Sequence, residues 1–258
     1  MKNDFDIAAK NYDKVFSFSE IGKAQRNRVY QYLDKHILQQ EKLNILELNC
    51  GTGEDAIYFS EKGHHVVATD ISNEMIRIAS NKNSKIQFQQ QDINTITSET
   101  FSEKFDFIFS NFGGLNCISK QQLHSFLKVS AKLLNQNGKL ALVIMPKKCL
   151  WERVYFILKG QFENAFRRNT NESVFANVDG VTVPTWYLNP KDIVTLARES
   201  YKAKLIKPIG ICIPPSYLEP FFTNKKGFLK LLIKTESLFS NRFWAKYADH
   251  YLITLQKK

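Results

Sequence analysis

Apolar positions along the chain fall into short runs that predict buried strands. The runs at residues 45–48, 66–70, 105–110 and 139–146 have the length and composition of parallel strands covered on both faces. Residues 86–92 instead alternate between apolar and polar side chains, which predicts a half-buried strand ending at Asp92. Before or after these runs, apolar residues recur at helical spacing and predict helices at residues 20–40, 54–59, 71–76 and 120–135. The alternation predicts an α/β fold with helices on both faces of an open sheet.

The C-terminal half departs from this simple repeat. Residues 150–159 predict an aromatic-rich helix, and residues 174–178 and 181–183 predict a hairpin around the turn Asp179-Gly180. Helices are expected at residues 191–200 and 226–239, a sixth strand at 204–211, and a seventh, antiparallel strand at 251–255. We therefore expect four segments: N-terminal lid or cover helices (1–40), a ligand-binding core (41–146), an aromatic-rich cap with a hairpin (147–190), and a completion of the core sheet (191–258).

The junction between the first strand and the next helix carries the clearest chemical signal. Gly51 and Gly53 follow the strand at once, so backbone N–H groups and a helix N-terminus face any ligand at the strand's end. Asp70 closes the second strand nineteen residues after Gly51, a position from which a carboxylate can accept both hydroxyls of a ribose. The third glycine of a dinucleotide fingerprint is missing, and Glu54 and Asp55 would repel a pyrophosphate. An adenosyl ligand without phosphate fits better.

At these residues the chain resembles the class I S-adenosylmethionine-dependent methyltransferases, which have a Rossmann-like fold. Glu47, Gly51 and Gly53 match the family's first motif, (D/E)-x-G-x-G-x-G, whereas Asn49 stands where its first glycine is expected. Asparagine tolerates positive φ better than other non-glycine residues, so the turn is compatible with it. The resemblance implies S-adenosylmethionine as cofactor, S-adenosylhomocysteine as product, and these cofactor-binding residues: Tyr12, Glu47, Asn49, Gly51, Gly53, Asp70, Ile71, Asp92, Ile93, Ser110 and Asn111.

Several of these roles have simpler alternatives. By resemblance, Tyr12 and Asp13 belong to a lid over the cofactor, but a surface helix that packs Tyr12 into the core explains them equally well. Asp92 is expected to bind the adenine amino group, with Ile93 against the ring; an Asx turn after a strand is the alternative. Asn111 is assigned to the region of methyl transfer, and a plain turn residue is the other possibility.

The predicted cap is placed after the fifth strand, above the edge where the strands end. Aromatic side chains there, with a rigid loop at residues 214–218, are candidates for substrate binding: Trp151, Tyr155, Trp186 and Tyr217. Aromatic packing without substrate contact would account for them too. The antiparallel last strand begins at this same edge, which makes His250 a candidate general base. A structural histidine is the alternative.

Composition describes an ordinary globular chain with an uneven charge. The 258 residues are 43% hydrophobic and 24% charged, with a net charge of +11. Residues 147–258 hold 19 lysines and arginines against 9 acidic residues, compared with 17 against 16 in residues 1–146. The basic half suits an anionic or carrier-bound small molecule, nucleic acid or a membrane surface, with a solvated basic face as the alternative.

Four scattered cysteines without a CxxC pair predict reduced thiols and no metal site, and no secretory signal is apparent, so we expect a cytoplasmic protein. The favoured function is methyl transfer to a small aromatic, polyketide-like or lipid-like acceptor. A tRNA or rRNA methyltransferase is the first alternative, although the expected Asn/Asp-Pro-Pro-Tyr/Phe motif is absent after strand four. A non-catalytic S-adenosylmethionine-binding protein is the second. The sequence predicts no oligomeric state.

Overall fold

A computed structural model describes residues 2–39, 42–178 and 181–258. Its main sheet has seven strands in the order β3-β2-β1-β4-β5-β9-β8, and β6 and β7 form a separate hairpin. β9 is antiparallel to both of its neighbours, β5 and β8, whereas the pairs from β3 to β5 are parallel. The strands are β1 (Asn44–Leu48), β2 (His65–Asp70), β3 (Gln87–Gln90), β4 (Phe105–Ser110), β5 (Leu134–Ile144), β6 (Val174–Val178), β7 (Val181–Thr185), β8 (Tyr201–Ile209) and β9 (His250–Lys257).

Helices cover both faces of this sheet and build the cap. In chain order they are α1 (Lys2–Tyr12), α2 (Glu20–His36), α3 (Glu54–Glu61), α4 (Asn73–Lys82), α5 (Lys120–Leu133), α6 (Leu150–Leu158), α7 (Phe162–Phe166), α8 (Pro190–Ala197), α9 (Glu219–Phe222) and α10 (Lys226–Thr235). A π-helical turn at Asp13–Ser17 links α1 to α2. The predicted α/β fold with a seven-stranded, mostly parallel sheet and an antiparallel last strand is confirmed.

The central strands are buried because each carries apolar side chains toward both helical layers. Ile45 and Leu46 are both fully buried yet belong to two different clusters, one on each face of the sheet. A third and smaller cluster joins the start of α2 to α9 and α10, with Ile21, Phe222 and Leu229 at its centre. This third cluster fixes the C-terminal helices beside the cap.

Some predicted boundaries were wrong for identifiable reasons. The fifth strand was expected at residues 139–146, but β5 begins at Leu134, which is fully buried and pairs with Phe105. Asn137 takes φ 65° inside this strand, which marks an irregularity in it. The helix expected over 226–239 ends at Thr235 and continues as a 3₁₀ turn.

The cap contains α6, α7 and the β6–β7 hairpin, as the sequence predicted. The predicted hairpin turn, Asp179-Gly180, lies outside the described residues. The division into four segments stays a prediction. In the part of the chain that the structure describes, every helix is too short or too polar to cross a bilayer.

Candidate active site

A cavity of ≈ 280 Å³ opens where β1, β2, β4 and β5 end and β9 begins. One wall, the turn side, contains Tyr12, Asn49, Gly51, Asp70 and Asp92. The opposite wall, the cap side, contains Arg167, Arg168, Tyr187, Tyr217 and His250. Residues from distant parts of the chain thus meet in one crevice, at the edge where open α/β sheets bind ligands.

The turn side is shaped by backbone conformations that few residues adopt. Asn49, Gly51 and Gly53 have φ values of 56°, 53° and 84°. Asparagine in the first position therefore takes the left-handed conformation expected of it. Gly53 does not line the cavity, and a Cβ added there would lie 2.9 Å from the Cβ of Ala79. Its lack of a side chain serves packing of α3 against α4, not ligand contact.

Asp70 fixes this turn from the end of β2. Its two carboxylate oxygens accept the backbone N–H groups of Gly51 and Ser72, each at 2.9 Å. Burial raises the pKa of Asp70, although these N–H groups act in the opposite direction. Each carboxylate oxygen retains further lone pairs, so Asp70 can also accept hydroxyl groups from the cavity. Ile71, which follows it, lines the cavity as well.

The N-terminal segment lies over the glycine turn. The Tyr12 ring stands 3.5 Å from the position a Gly51 Cβ would occupy, and Tyr12 lines the cavity. Asp13 accepts the Thr52 hydroxyl at 2.5 Å and pairs with Lys82 at 2.6 Å. These contacts tie the π-helical turn to the start of α3 and to the end of α4. Tyr12 and Asp13 therefore lie against the glycine turn, and their role as a lid stays a prediction.

The third strand brings Asp92 and Ile93 to the same wall. One oxygen of Asp92 accepts the backbone N–H and the side-chain amide of Asn94, at 2.8 and 2.9 Å. The Asx-type turn considered from the sequence is therefore formed. The other carboxylate oxygen makes no hydrogen bond with any described residue, and it is free for a ligand amino group.

A charged cluster lies behind the turn, outside the cavity wall. Asp55 accepts the Tyr30 hydroxyl at 2.6 Å and stands 3.7 Å from the Arg26 guanidinium. Burial, with Asp55 nearby, raises the pKa of Glu47 well above its ordinary range. One oxygen of Glu47 has no partner among the described residues, and the side chain is 1% exposed. Glu47 does not line the cavity, and its predicted contact with the cofactor stays a prediction.

Asn111 connects this cluster to the cavity. Its amide donates to Asp55 at 3.0 Å, and its oxygen accepts the N–H of Phe112 at 3.0 Å. The side chain lines the cavity but is oriented by these two bonds. Ser110 is fully buried and lies outside the cavity lining. Of this predicted pair, only Asn111 has access to a ligand.

The cap side holds a buried acid–base pair. Asp249 Oδ2 lies 3.2 Å from His250 Nδ1 and also accepts the Gln25 amide at 3.2 Å. Burial disfavours the charge of Asp249, but His250 and Arg168 outweigh it and hold its pKa well below the ordinary value. The contact is an ion-pair distance rather than a hydrogen bond, because Nδ1 has no hydrogen-bond partner among the described residues. His250 lines the cavity, and its role as a general base stays a prediction.

Two arginines join this pair to the cap. Arg168 is buried between Glu152 of α6 and Asp249, reaching the Asp249 carboxylate at 3.1 Å and its backbone oxygen at 3.3 Å. Arg167 pairs with the other oxygen of Glu152 through Nε. Its terminal nitrogens donate to no described residue, and the side chain is 29% exposed. The position of the cap and the surroundings of His250 are therefore coupled.

The aromatic substrate candidates divide into two groups. Tyr217 lines the cavity, whereas Trp151, Tyr155 and Trp186 do not. Trp151 donates to the Cys212 carbonyl at 3.2 Å, and the Tyr155 ring lies 6.1 Å from that of Tyr217. The backbone N–H of Trp186 donates to Asn116 O. These three aromatic residues support the walls, which is the packing role considered from the sequence.

The sequence did not single out Arg26, Arg167, Arg168 or Met145. Nothing in their local pattern distinguishes them from surface cations or core methionines. The glycine pair after β4 did carry a signal, because Gly113 has φ 75° and a Cβ there would lie 2.8 Å from Met145. Gly113 and Gly114 both line the cavity.

Comparison with known proteins gives consistent similarities. Residues 45–138 match the family model described as a methyltransferase domain. An uncharacterized protein of Methanocaldococcus jannaschii is 26% identical over 241 residues, covering 89% of this chain and 86% of its own. A malonyl-[acyl-carrier protein] O-methyltransferase of Bacillus anthracis is 28% identical over 119 residues, covering 43% of this chain and 40% of that enzyme.

The fold is shared with solved structures. A SAM-dependent methyltransferase from Methanosarcina mazei superimposes with a TM-score of 0.60 at 16% identity, covering 87% of this chain and 96% of the other. At this identity the likeness concerns the fold alone. The shared fold is consistent with the order of the strands.

Proposed function

We propose that this chain, which belongs to the class I S-adenosylmethionine-dependent methyltransferases, methylates an oxygen of a small aromatic, polyketide-like or lipid-like acceptor. The observation that carries the proposal is the Asp249–His250 pair, which faces the same cavity as the glycine turn. A hydroxyl acceptor must lose a proton as it is methylated, and a positioned imidazole can take it. The pair would have no such use in a protein that only binds its ligand.

The turn side fits S-adenosylmethionine. Asp70 is available to a ribose, and Asp92 to an adenine amino group. The lining residues include no lysine, and both of their arginines lie on the cap side. A pyrophosphate would meet carboxylates here without a cation to bind it, whereas a sulfonium carries positive charge. Tyr12 would cover the bound cofactor, and Asn49 and Gly51 would contact it through the turn.

The bound sulfonium supplies an activated methyl group, so the protein's task is mainly alignment. Holding two reactants in attack geometry can contribute about 7–11 kcal/mol. On the cap side, Tyr187 and Tyr217 offer flat surfaces for an aromatic or lipid-like acceptor. His250 would accept the hydroxyl proton at Nε2, while Asp249 stays ionised and stabilises the imidazolium formed. The two hydrogen bonds of Asn111 would hold the cavity lining in place between the turn side and the cap side.

An acceptor bound to a carrier protein is also compatible with the cap side and is included in the screen. The Bacillus anthracis relative acts on a malonyl group held by acyl-carrier protein. The free guanidinium nitrogens of Arg167 would suit a carboxylate or phosphate on such an acceptor. The basic C-terminal half keeps tRNA as the competing acceptor.

A transfer screen tests the proposal. The purified chain would be incubated with tritium-labelled methyl donor and, separately, with metabolite extract, carrier-bound acyl chains and tRNA. We expect label in an extractable small molecule or a carrier-bound one, lost when the acceptor hydroxyl is blocked. Label in tRNA would replace the proposal by its competitor. Donor binding without transfer to any acceptor would favour a non-catalytic role.

The donor site has its own test in Asp70→Ala. Removing the carboxylate loses two backbone hydrogen bonds that hold the turn, as well as the proposed ribose contact. Hydrogen bonds to charged groups contribute about 1.5–3 kcal/mol each, so S-adenosylmethionine should bind at least about tenfold more weakly by calorimetry. Asp70→Asn is the matched control and should lose less. Unchanged affinity in Asp70→Ala would remove Asp70 from the donor site.

A further inference from the structure

A broad surface beside the cap combines exposed apolar side chains with cations. Leu158 at the end of α6 is 82% exposed, Phe162 at the start of α7 63%, and Leu231 on α10 55%. We call this surface the basic apolar face and define it by its apolar and its cationic members. They are Val154, Ile157, Leu158, Phe162, Phe221, Phe228 and Leu231, with Arg153, Lys159, Lys225, Lys226, Lys230 and Lys234.

The two halves of this face are joined by packed aromatic rings. The Trp151 ring of α6 lies 6.3 Å from Phe222 of α9, and Phe222 stacks on Phe228 of α10 at 6.1 Å. Tyr155 contacts Tyr217 in the loop before α9. Tyr217 is 45% exposed and also lines the cavity. The face therefore runs from α10 across α6 to the side of the cavity.

Acidic side chains are nearly absent from it. Residues 220–235 contain no aspartate or glutamate, and Glu152 of α6 is buried against the two arginines. Glu163 is the exposed acid of α7. Lysines instead lie over neighbouring rings: Lys225 over Phe221 at 3.5 Å and Lys159 over Tyr155 at 4.5 Å. Aliphatic stems and rings thus share one surface with the ammonium groups.

The chemistry of this face limits what can cover it. A second copy of the chain would bring lysine against lysine, and such like-charge contacts are unfavourable. A folded protein partner would need directional hydrogen bonds, at about one per 100–200 Å² of interface. The sequences of α6 (LWERVYFIL) and of residues 226–234 contain no serine, threonine, asparagine or glutamine, so these bonds could come only from the cations and from the residues around Phe162 and Phe221. Ammonium groups among aromatic and aliphatic side chains match phosphate headgroups above acyl chains.

We propose that the basic apolar face docks this protein on the surface of an anionic lipid bilayer, with the cavity beside the headgroups. Leu158 and Phe162 would enter the boundary between headgroups and acyl chains. The lysines of α10 would lie at the level of the lipid phosphates. Docking needs neither methyl donor nor acceptor, so it holds or fails independently of the proposed reaction.

Co-sedimentation with vesicles tests this directly. The full chain would be mixed with vesicles of phosphatidylcholine alone or with about 30 mol% phosphatidylglycerol, at low and high salt. We expect at least about fivefold more protein to pellet with the anionic vesicles, and the difference to shrink at high salt. Equal binding to both vesicle types, or to neither, would overturn the proposal.

Paired variants locate the contact. Leu158→Ser/Phe162→Ser and Lys226→Glu/Lys230→Glu should each weaken anionic-vesicle partitioning about tenfold or more. The control, Lys191→Glu/Val194→Ser, makes one change of each kind on exposed residues of α8 and should bind as the unmodified chain does. Equal losses in the control and the test variants would contradict the assignment of this face.

Two other occupants give distinguishable results. If the face pairs two copies, light scattering will show a dimer that Leu158→Ser/Phe162→Ser converts to monomer. If it binds an acidic protein, calorimetry with acyl-carrier protein will show binding that Lys226→Glu/Lys230→Glu removes, while vesicles bind no better than before. Either result would replace the membrane proposal.

Discussion

The two walls of the cavity hold their buried carboxylates in opposite electrostatic environments. On the turn side, burial raises the pKa of Asp70, whose oxygens are bound by backbone N–H groups. On the cap side, the pKa of Asp249 lies well below its ordinary value, because His250 and Arg168 outweigh the effect of burial. Asp70 is thus held by main-chain geometry, and Asp249 by ionisable side chains from other segments.

This difference suggests a division of labour. A wall built on backbone hydrogen bonds keeps its shape when neighbouring side chains change, which suits a cofactor used unaltered by a whole family. A wall built on side-chain ion pairs depends on every partner, including Glu152 on the cap. We expect substitutions on the cap side to affect catalysis and cap position together, and substitutions on the turn side to affect donor affinity.

His250→Ala should show most clearly that the two walls serve different steps, acceptor methylation on the cap side and donor binding on the turn side. Loss of a general base lowers kcat by about 10²–10⁴-fold, while the donor affinity should stay within about twofold. Steady-state kinetics on the acceptor found in the screen, with calorimetry for the donor, measures both quantities.

His65→Ala is the matched control for that experiment. His65 begins β2 at the opposite edge of the sheet, and its side chain is 57% exposed. Its replacement should leave kcat unchanged. If His250→Ala also kept its kcat, the histidine would be structural and the acceptor would have to bind already deprotonated.

Arg168→Met should cost the most stability. The guanidinium faces Glu152 and Asp249 from a buried position, so its loss leaves both carboxylates less compensated. Breaking a buried ion pair by removing one partner costs about 3–5 kcal/mol. Urea unfolding should show this loss, and Arg168→Lys should recover only part of it, because an ammonium cannot bridge two carboxylates in the fixed geometry of a guanidinium.

Adding Glu152→Gln to Arg168→Met sharpens the result. With the carboxylate gone, the double variant should be less destabilised than the sum of the single ones. Simple additivity would mean that Arg168 and Glu152 do not stabilise each other.

The sequence predicted the turn side better than the cap side for a physical reason. Gly51, Asp70 and Asp92 stand at strand ends, and parallel strands bring their carboxyl ends to one edge whatever the loops do. Arg168 reaches Asp249 from 81 residues away through a cap whose path no local pattern specifies. His250 was an exception, because the antiparallel last strand begins at that same edge.

Residue type alone also did not distinguish residues that line the cavity from residues that pack behind it. Trp151 and Tyr217 are both aromatic residues of the predicted acceptor region, yet only Tyr217 lines the cavity. Glu47 matches the family motif but lies behind the wall, where burial raises its pKa. Spacing fixes the position of such a residue along the chain, whereas its access to a ligand depends on the packing of distant segments.

The pH dependence of stability should differ between Glu47, which lies behind the turn side, and Asp249 on the cap side. The pKa of Glu47 is raised in the folded state, so stability falls as pH rises from its ordinary pKa through the folded value. Glu47→Gln removes this loss. Its free energy of unfolding, relative to the unmodified chain, should therefore increase as pH rises from about 5 to 8. A relative free energy that falls over this range would contradict the raised pKa.

Asp249→Asn should behave in the opposite sense. The folded pKa of Asp249 is depressed, so its contribution is fully present above its ordinary value of about 3.9 and is lost in acid. The cost of the substitution should be largest near neutral pH and shrink as pH falls below about 4. Urea titrations at a series of pH values measure both variants together.

The smallest effect is expected at Asn49, where the chain departs from its family's glycine. Asn49 already takes φ 56°, so glycine gains little conformational relief there and adds freedom to the unfolded chain. The Asn49 side chain also packs close to Gly114. Asn49→Gly should change the free energy of unfolding by less than about 1 kcal/mol and donor affinity by less than about threefold.

Asn49→Val, the contrasting variant, places a β-branched residue at positive φ and should weaken donor binding more. A large gain in affinity for Asn49→Gly would mean that asparagine holds the turn side in a poor binding geometry, and that the backbone of this wall is less fixed than its hydrogen bonds imply.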